Sequence, residues 1–408
     1  MQKVQSIRVP YALAVYGKEE KAAVARVLEN PSKIVPGLSV REFEKKIAQL
    51  FGKKYGVMVN SGSSANLLAL ELLNLKKGSE VITPALTFST TLTPILQKGL
   101  VPVFVDVVRD TYVIDIEKVE RAITKKTRAL MIPSLLGNLP DMARLKAIAK
   151  KHKLWFIEDS CDTLGPRFAG KPSGTFSDIT TTSFYASHII TTAGAGGMIC
   201  LNDPNLAKRA LVMSSWGRAS TLFGVHEKSE DIKRRFKGRI GGKVYDAKFI
   251  FTEVGYNFQP TELQAAFGLE QLKRLPLFTR KRAKNFNELK KFFDRYTDWF
   301  MLPKKHTKAT INWLAFPILL TKDAPFSRAD ITEYLEEKNI QTRPIFTGNV
   351  LRQPAFQKLG KGGMANQYSE SDYVMRNGFI LGCHHGLTTE QMRHLKSSLQ
   401  QFVGQFEL

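Results

Sequence analysis

The chain has 408 residues but only three cysteines, Cys161, Cys200 and Cys383, widely separated and without a C-x-x-C pair. That spacing argues against a disulfide framework and a zinc ribbon, and it suits a reducing compartment. No apolar run reaches the roughly 18 residues that a membrane helix needs. The opening Met1-Gln2-Lys3-Val4-Gln5-Ser6 lacks the apolar core of a signal peptide, so a soluble, cytoplasmic chain is expected. Internal repeats and low-complexity segments are missing too. Acidic residues are scarce, 37 against 60 basic ones, for a net charge of +23. Such a surplus suits an anionic substrate or a polyanion. The basic residues are scattered, however, and the densest stretch, Lys233 to Arg239, carries no aromatics at stacking spacing. A generally basic surface is the simplest reading, with neither nucleic acid nor membrane as partner.

Hydrophobic residues make up 43% of the chain, enough for a large core, and the length exceeds one ordinary domain. From about residue 50 to 200, short β-branched runs alternate with amphipathic stretches, the pattern of a mostly parallel α/β sheet covered on both faces. Strands are predicted at Val81 to Leu86, Val101 to Val107, Ala129 to Ser134, Leu154 to Asp159, Ile179 to Tyr185 and Gly197 to Leu201, with another strand-like run at Tyr55 to Val59. Helices are predicted from Ala65 to Leu73, over Met142 to Ala149, and from Pro260 through Leu275. Residues 202 to 250 read as a long, polar surface excursion. A large unit over 1–285, including the N-terminal segment, and a smaller α/β unit over 286–408 are expected.

Three short segments carry chemistry. Asn60-Ser61-Gly62-Ser63-Ser64-Ala65-Asn66 lies between a strand-like run and a helix starting near Ala65, where small residues and free N–H groups can cradle a phosphate. A plain serine N-cap is the competing reading. Asp159 ends an apolar strand, where a carboxylate can hold a pyridine nitrogen protonated or cap the next helix. Phe88, at another strand end, suits stacking on a planar ring or a place in the core. His384-His385 is not read as a metal site, because adjacent residues seldom face the same way in regular structure and no carboxylate partner is evident.

These segments occur in an order that resembles the DegT/DnrJ/EryC1/StrS sugar aminotransferases, which use pyridoxal phosphate (PLP). The resemblance runs from about Val9 to Leu387. It includes Ser61-Gly62-Ser63-Ser64-Ala65, Pro102 to Val107, Glu158-Asp159, Ser183-Phe184-Tyr185, Gly255-Tyr256-Asn257 and Glu262 to Ala266. It implies PLP-dependent transferase fold type I, aspartate aminotransferase-like, with a large, mostly parallel seven-stranded sheet. By the same resemblance Gly62, Ser63 and Ser183 bind the cofactor phosphate, Phe88 stacks on the ring and Asp159 pairs with its nitrogen. Asp162, where aminotransferases usually carry glutamine, sits near the ring hydroxyl. Asn257 reaches the phosphate of a neighbouring subunit, which implies a homodimer with shared active sites.

His188 stands where the family carries the lysine that holds PLP covalently. Histidine moves protons but forms no stable imine, and it marks the nucleotide-sugar 3-dehydratase branch, which Leu136-Gly137-Asn138, Trp216-Gly217-Arg218 and Thr342 to Pro354 also resemble. One type in that branch binds an iron–sulfur cluster on cysteines after the Trp-Gly-Arg segment. Ala219 to Tyr256 contains no cysteine, so no cluster and no other metal is expected. The branch implies catalysis by His188, pyridoxamine phosphate (PMP) as the working cofactor, and loss of the C3 hydroxyl from a nucleotide-linked 4-keto-6-deoxy sugar. PMP would be regenerated from glutamate, in deoxysugar or surface polysaccharide biosynthesis. Arg218, Arg343, Asn349 and Arg352 are candidate substrate-binding residues, with salt bridges as the competing role for the arginines. An aminotransferase without the usual lysine and a non-catalytic sugar-nucleotide or polyanion-binding paralogue are the alternatives. Ala195, where the family often has an acidic residue, departs from the pattern.

Overall fold

Seven strands build the central sheet of the computed structural model, which describes residues 7–224 and 230–407. They are β1 Tyr55–Val59, β2 Glu80–Pro84, β3 Val101–Val105, β4 Thr127–Pro133, β5 Trp155–Asp159, β6 Ile179–Ser183 and β7 Gly197–Leu201. Their spatial order is β1-β7-β6-β5-β4-β2-β3. β7 runs antiparallel to both neighbours, and the remaining pairs are parallel. Side chains alternate across the sheet, as the pleat requires. Val57, Val59, Val81, Met131 and Ile157 bury one face. Met58, Met198 and Cys200 enter a second cluster, and Ile82, Leu130 and Phe156 a third. With both faces apolar, the strands read as continuous hydrophobic runs rather than alternating ones.

Helices cover both faces. α1 Gly62–Leu72 starts at Ser61, whose side chain accepts from the Ser64 N–H. α2 Met142–His152 starts at Asp141 in the same way and stops at Lys153, held in the left-handed region at φ 54°. α3 Pro204–Ser214 corrects the expectation of an excursion from 202 onward. Asp203 caps it, Pro204 opens it, and Ala207, Ala210 and Met213 pack into the core beside α1. The excursion itself begins after Trp216. Its described part includes a hairpin, Gly238–Ile240 against Lys243–Tyr245.

A Thr261–Gln264 capping box starts α4 Glu262–Phe293, which is 32 residues long. It runs on through Pro276, past the end expected at Leu275 and across the expected unit boundary at 285/286, because Phe278, Arg282, Phe286 and Leu289 are buried along it. The smaller sheet has four antiparallel strands, β8 Phe300–Met301, β9 Phe316–Leu320, β10 Thr342–Pro344 and β11 Gly378–Leu381, in the order β8-β9-β11-β10. The N-terminal residues lie on this smaller unit. The Val9 N–H donates to the Asn339 carbonyl and the Gln341 N–H to that of Val9, both at 2.9 Å. Gly382 permits this crossing, since a Cβ there would fall 2.6 Å from the Pro10 carbonyl oxygen. Among the described residues, no helix is long and apolar enough to cross a membrane.

Candidate active site

A cavity of about 650 Å³ opens at the carboxyl ends of β1, β5 and β6, the place where open α/β sheets collect ligands. Gly62, Ser63, Phe88, Asp159, Asp162, Ser183, His188 and Arg343 all line it. Sequence segments separated by up to 281 positions (Gly62 to Arg343) thus meet at one site.

Gly62 and Ser63 form the first turn of α1, where backbone N–H groups have no intrahelical acceptor and the helix dipole favours an anion. Ser183 packs against this turn from the end of β6. A Cβ on Gly62 would lie 2.7 Å from the Ser183 Cβ and 2.8 Å from the Cys161 Sγ, so glycine is required by close approach. Together these residues make a cradle that fits the phosphate of PLP. Gly62→Ala is expected to cost about 1–3 kcal/mol through overpacking, with weaker PLP binding in an absorbance titration. Parental affinity in that variant would show that the phosphate sits elsewhere.

Asp159, buried at the end of β5, is held from three sides. Its Oδ2 accepts from Asn66 Nδ2 at 2.8 Å and Thr91 Oγ1 at 2.7 Å, and its Oδ1 accepts from the Cys161 N–H at 3.2 Å. Asn66 and Thr91 fix the carboxylate; Asn66 closes the Asn60 to Asn66 segment read as a phosphate cradle, and Thr91 lies outside the marked segments. Both follow a recognised motif, Asn66 one helical turn after Gly62 and Thr91 three residues after Phe88. Because Asp159 also lines the cavity, it can accept from a protonated ring nitrogen. Phe88 is 48% exposed there and touches Phe346 edge-on at 5.9 Å, leaving ring surface available for stacking. Asp162 accepts from the Leu136 N–H at 2.9 Å. Burial, reinforced by Asp159 and opposed by that N–H, raises its pKa to about 7, so near neutrality it exists in both protonation states. That suits a partner for a ring hydroxyl.

His188 sits in the turn after β6, its ring edge-on to Tyr185 at 6.1 Å. Its Nδ1 is enclosed, with no hydrogen-bond partner among the described residues. Burial lowers the imidazole pKa to about 4, against the opposing effect of the Cys161 and Ser183 backbone. The ring is therefore neutral at physiological pH and able to accept a proton. The residues present fit PLP or PMP: an anion cradle, a fixed carboxylate, an aromatic ring and a neutral base surround one space. Ala195 also lines the cavity. Its carbonyl oxygen accepts from Gln264 Nε2 at 3.1 Å, so the backbone at this departure from the family pattern is tied to the start of α4.

Four expected site residues lie outside this cavity. Asn349 is fully buried and donates to the Ala365 carbonyl at 3.0 Å and Asp372 Oδ1 at 2.8 Å. Arg352 pairs with the same Asp372, Nη2 to Oδ2 at 2.6 Å. These contacts fix the 342–354 segment and are the salt-bridge role that competes with substrate binding for Arg352. That segment instead brings Arg343, Phe346, Thr347 and Gln353 to the cavity. The Arg218 guanidinium stacks over Trp216 at 4.3 Å. Asn257 is exposed, bridged through its backbone to Ser215. His384 Nε2 lies 3.0 Å from the Pro10 carbonyl oxygen, and His385 stacks on Phe278 with ring centroids 3.8 Å apart. Tyr11, brought in by the N-terminal crossing, lines the cavity without having been expected.

The profile of the DegT/DnrJ/EryC1/StrS aminotransferase family matches residues 15–400. Among curated relatives, the lipopolysaccharide biosynthesis protein RfbH of Salmonella typhimurium is 38% identical over 372 residues, covering 89% of this chain and 84% of that protein. The dTDP-4-dehydro-2,6-dideoxy-D-glucose 3-dehydratase of Saccharopolyspora spinosa is 37% identical, covering 96% and 85% respectively. Among solved structures, GDP-4-keto-6-deoxymannose-3-dehydratase with a trapped PLP-glutamate geminal diamine superposes with a TM-score of 0.80 at 30% identity, covering 96% of this chain and all of that one. The chain shares the fold of these proteins, PLP-dependent transferase fold type I, and it belongs to the DegT/DnrJ/EryC1/StrS aminotransferase family.

Proposed function

We propose that the protein is a PLP/PMP-dependent 3-dehydratase acting on a 4-keto-6-deoxy sugar linked to a nucleoside diphosphate. The observation that carries this reading is His188, a neutral proton acceptor standing in the cofactor cavity where the family's lysine belongs. The two dehydratase relatives support it, and their names carry different nucleotides, so the class of substrate rather than one nucleotide is proposed. The cofactor, when bound in its amine form, would supply the electron sink that elimination from the keto sugar needs.

The chain's own residues supply the rest. Gly62, Ser63 and Ser183 hold the phosphate, Phe88 covers the ring, and Asp159 keeps the ring nitrogen protonated. His188 takes a proton at the cofactor's C4′ carbon as the C3 hydroxyl leaves, and returns one when the amine form is restored from glutamate. Positioned general bases contribute on the order of 10²- to 10⁴-fold. Asn257 and the exposed excursion, lying away from this cavity, are suited to meet a second copy of the chain, with Asn257 at its phosphate cradle. The cysteine-free stretch from Ala219 to Tyr256 supports a reaction without an iron–sulfur cluster.

The test uses purified protein with PLP and glutamate, then GDP-, CDP- and dTDP-linked 4-keto-6-deoxy sugars. Conversion of the aldehyde to the amine spectrum, followed by water loss and ammonia release, is expected. An amino sugar as product would replace dehydration with transamination. No spectral change with glutamate would remove both.

A further inference from the structure

Directly behind His188 lies a cation that the proposed reaction does not use. Arg282, on α4, is 1% exposed. Among the described residues its four side-chain hydrogen bonds all go to neutral acceptors: Nη2 to the His188 carbonyl at 3.3 Å, Nη1 to the carbonyls of Leu314 at 2.9 Å and Trp313 at 3.4 Å, and Nε to His385 Nδ1 at 3.2 Å. A guanidinium enclosed without a carboxylate is costly, and burial pushes its pKa down to about 10. Core packing alone would be served better by an apolar side chain of similar volume. The fork of five donors, however, is what allows one side chain to reach three chain segments at once.

We propose that Arg282 is a positioning residue for His188. It clamps the His188 carbonyl to the chain entering β9 and to the residues that follow β11, so that the imidazole keeps its place in the cavity. His385 is built to serve as the acceptor. It stacks on Phe278, and burial together with the neighbouring cation lowers its pKa to about 2, so it stays neutral. The clamp joins the two sheets at the residue where proton transfer is proposed, and a 1 Å misplacement at such a point costs on the order of 10²-fold in rate.

The clamp also has an electrostatic side. Arg282 disfavours the imidazolium form of His188, whereas Asp159 at the strand end favours it. Asp162, Cys161 and Tyr185 stand on the cavity side, with Tyr11 and Arg343 across from them. Cys383, His384 and His385 lie on the far side of Arg282. Removing the cation leaves the acidic groups in place and therefore moves the His188 midpoint upward.

The inference rests on His188 as the proton-transfer group, and its test has a readout independent of turnover. Arg282→Met, Arg282→Lys and Asn285→Ala are compared with the parent. Asn285 is buried on the same helix and donates to the His384 carbonyl at 2.9 Å, so it controls for general loosening. In cofactor-free protein, NMR titration of labelled histidines is expected to show the His188 midpoint higher in Arg282→Met and unchanged in Asn285→Ala. With cofactor, Arg282→Met is expected to lose on the order of 10²-fold in kcat with little change in KM. Arg282→Lys keeps the charge but not the fork, so kcat falls with the His188 midpoint in place; this variant decides alone if the methionine variant does not fold. A parental midpoint in Arg282→Met with only a lowered Tm, or parental kcat in Arg282→Lys, would overturn the proposal. If the parent shows no dehydration, the NMR titration still judges the clamp.

Discussion

His188→Asn is expected to lower dehydration by on the order of 10²- to 10⁴-fold while PLP and PMP binding stay near parental. Asparagine has a comparable planar end but no basic ring nitrogen. Among the described residues Nδ1 has no hydrogen-bond partner to lose, and the Arg282 contact is to the backbone carbonyl, which asparagine keeps. Loss of kcat with an unchanged thermal midpoint and unchanged cofactor spectrum is the expected outcome. His188→Lys gives the complementary result. The new amine should capture PLP in a borohydride-trappable link, restoring the family's usual anchor, and dehydration should fail. Burial at this position lowers the pKa of a lysine as it does that of the histidine, which favours the neutral, nucleophilic amine. A His188→Asn variant as fast as the parent would take proton transfer away from this residue.

The parts of the site that were legible in the sequence are local. The Ser61 to Ser64 turn follows β1 and opens α1, and Asp159 is the last residue of β5, so both lie at the carboxyl edge of the sheet by their place on a strand alone. What the sequence hid is what long-range packing decides. Tyr11 reaches the cavity only because the Val9 segment pairs beside Ile340, a contact between opposite ends of the chain. Asn349 and Arg352 sit in the right segment, yet Asp372 takes both of their side chains, and no local pattern announces that partner. α4 runs through Pro276, past the helix end that the sequence pattern predicts at Leu275, although proline costs a helix a hydrogen bond and crowds the preceding turn. Burial on the far side outweighs that cost. One signal was available and unused: Phe278, Arg282 and Phe286 are spaced i, i+4, i+8, which places an arginine within an apolar helical stripe. A charge there had to be buried, and His188 is what it touches.

Asp159→Asn is the second large effect, expected to reduce turnover on the order of 10²- to 10³-fold, the range for losing one preorganised electrostatic contact at a reacting centre. The hydrogen-bond directions explain why so small a change is so damaging. Asn66 Nδ2 and Thr91 Oγ1 both donate to Oδ2 of Asp159. An asparagine in the same pocket must turn its carbonyl oxygen toward those two donors, because the opposite orientation sets donor against donor inside the core. Its amide then faces the cofactor as a donor, which holds a ring nitrogen unprotonated and removes the electron-withdrawing charge that the carboxylate maintains. Fold and cofactor occupancy should survive, since the two side-chain donors remain satisfied and only the longer contact from the Cys161 N–H to Oδ1 is lost. Asp159→Ala differs on that point: Asn66 keeps its bonds to Thr90 and Thr181, but Thr91 Oγ1 and the Cys161 N–H lose the carboxylate at about 1–3 kcal/mol for each orphaned group, so a fall in Tm should accompany the loss of rate. Comparing the two variants by kcat and thermal midpoint separates the charge at the ring nitrogen from the packing beneath it. Parental turnover in Asp159→Asn would mean that the ring nitrogen does not depend on this carboxylate.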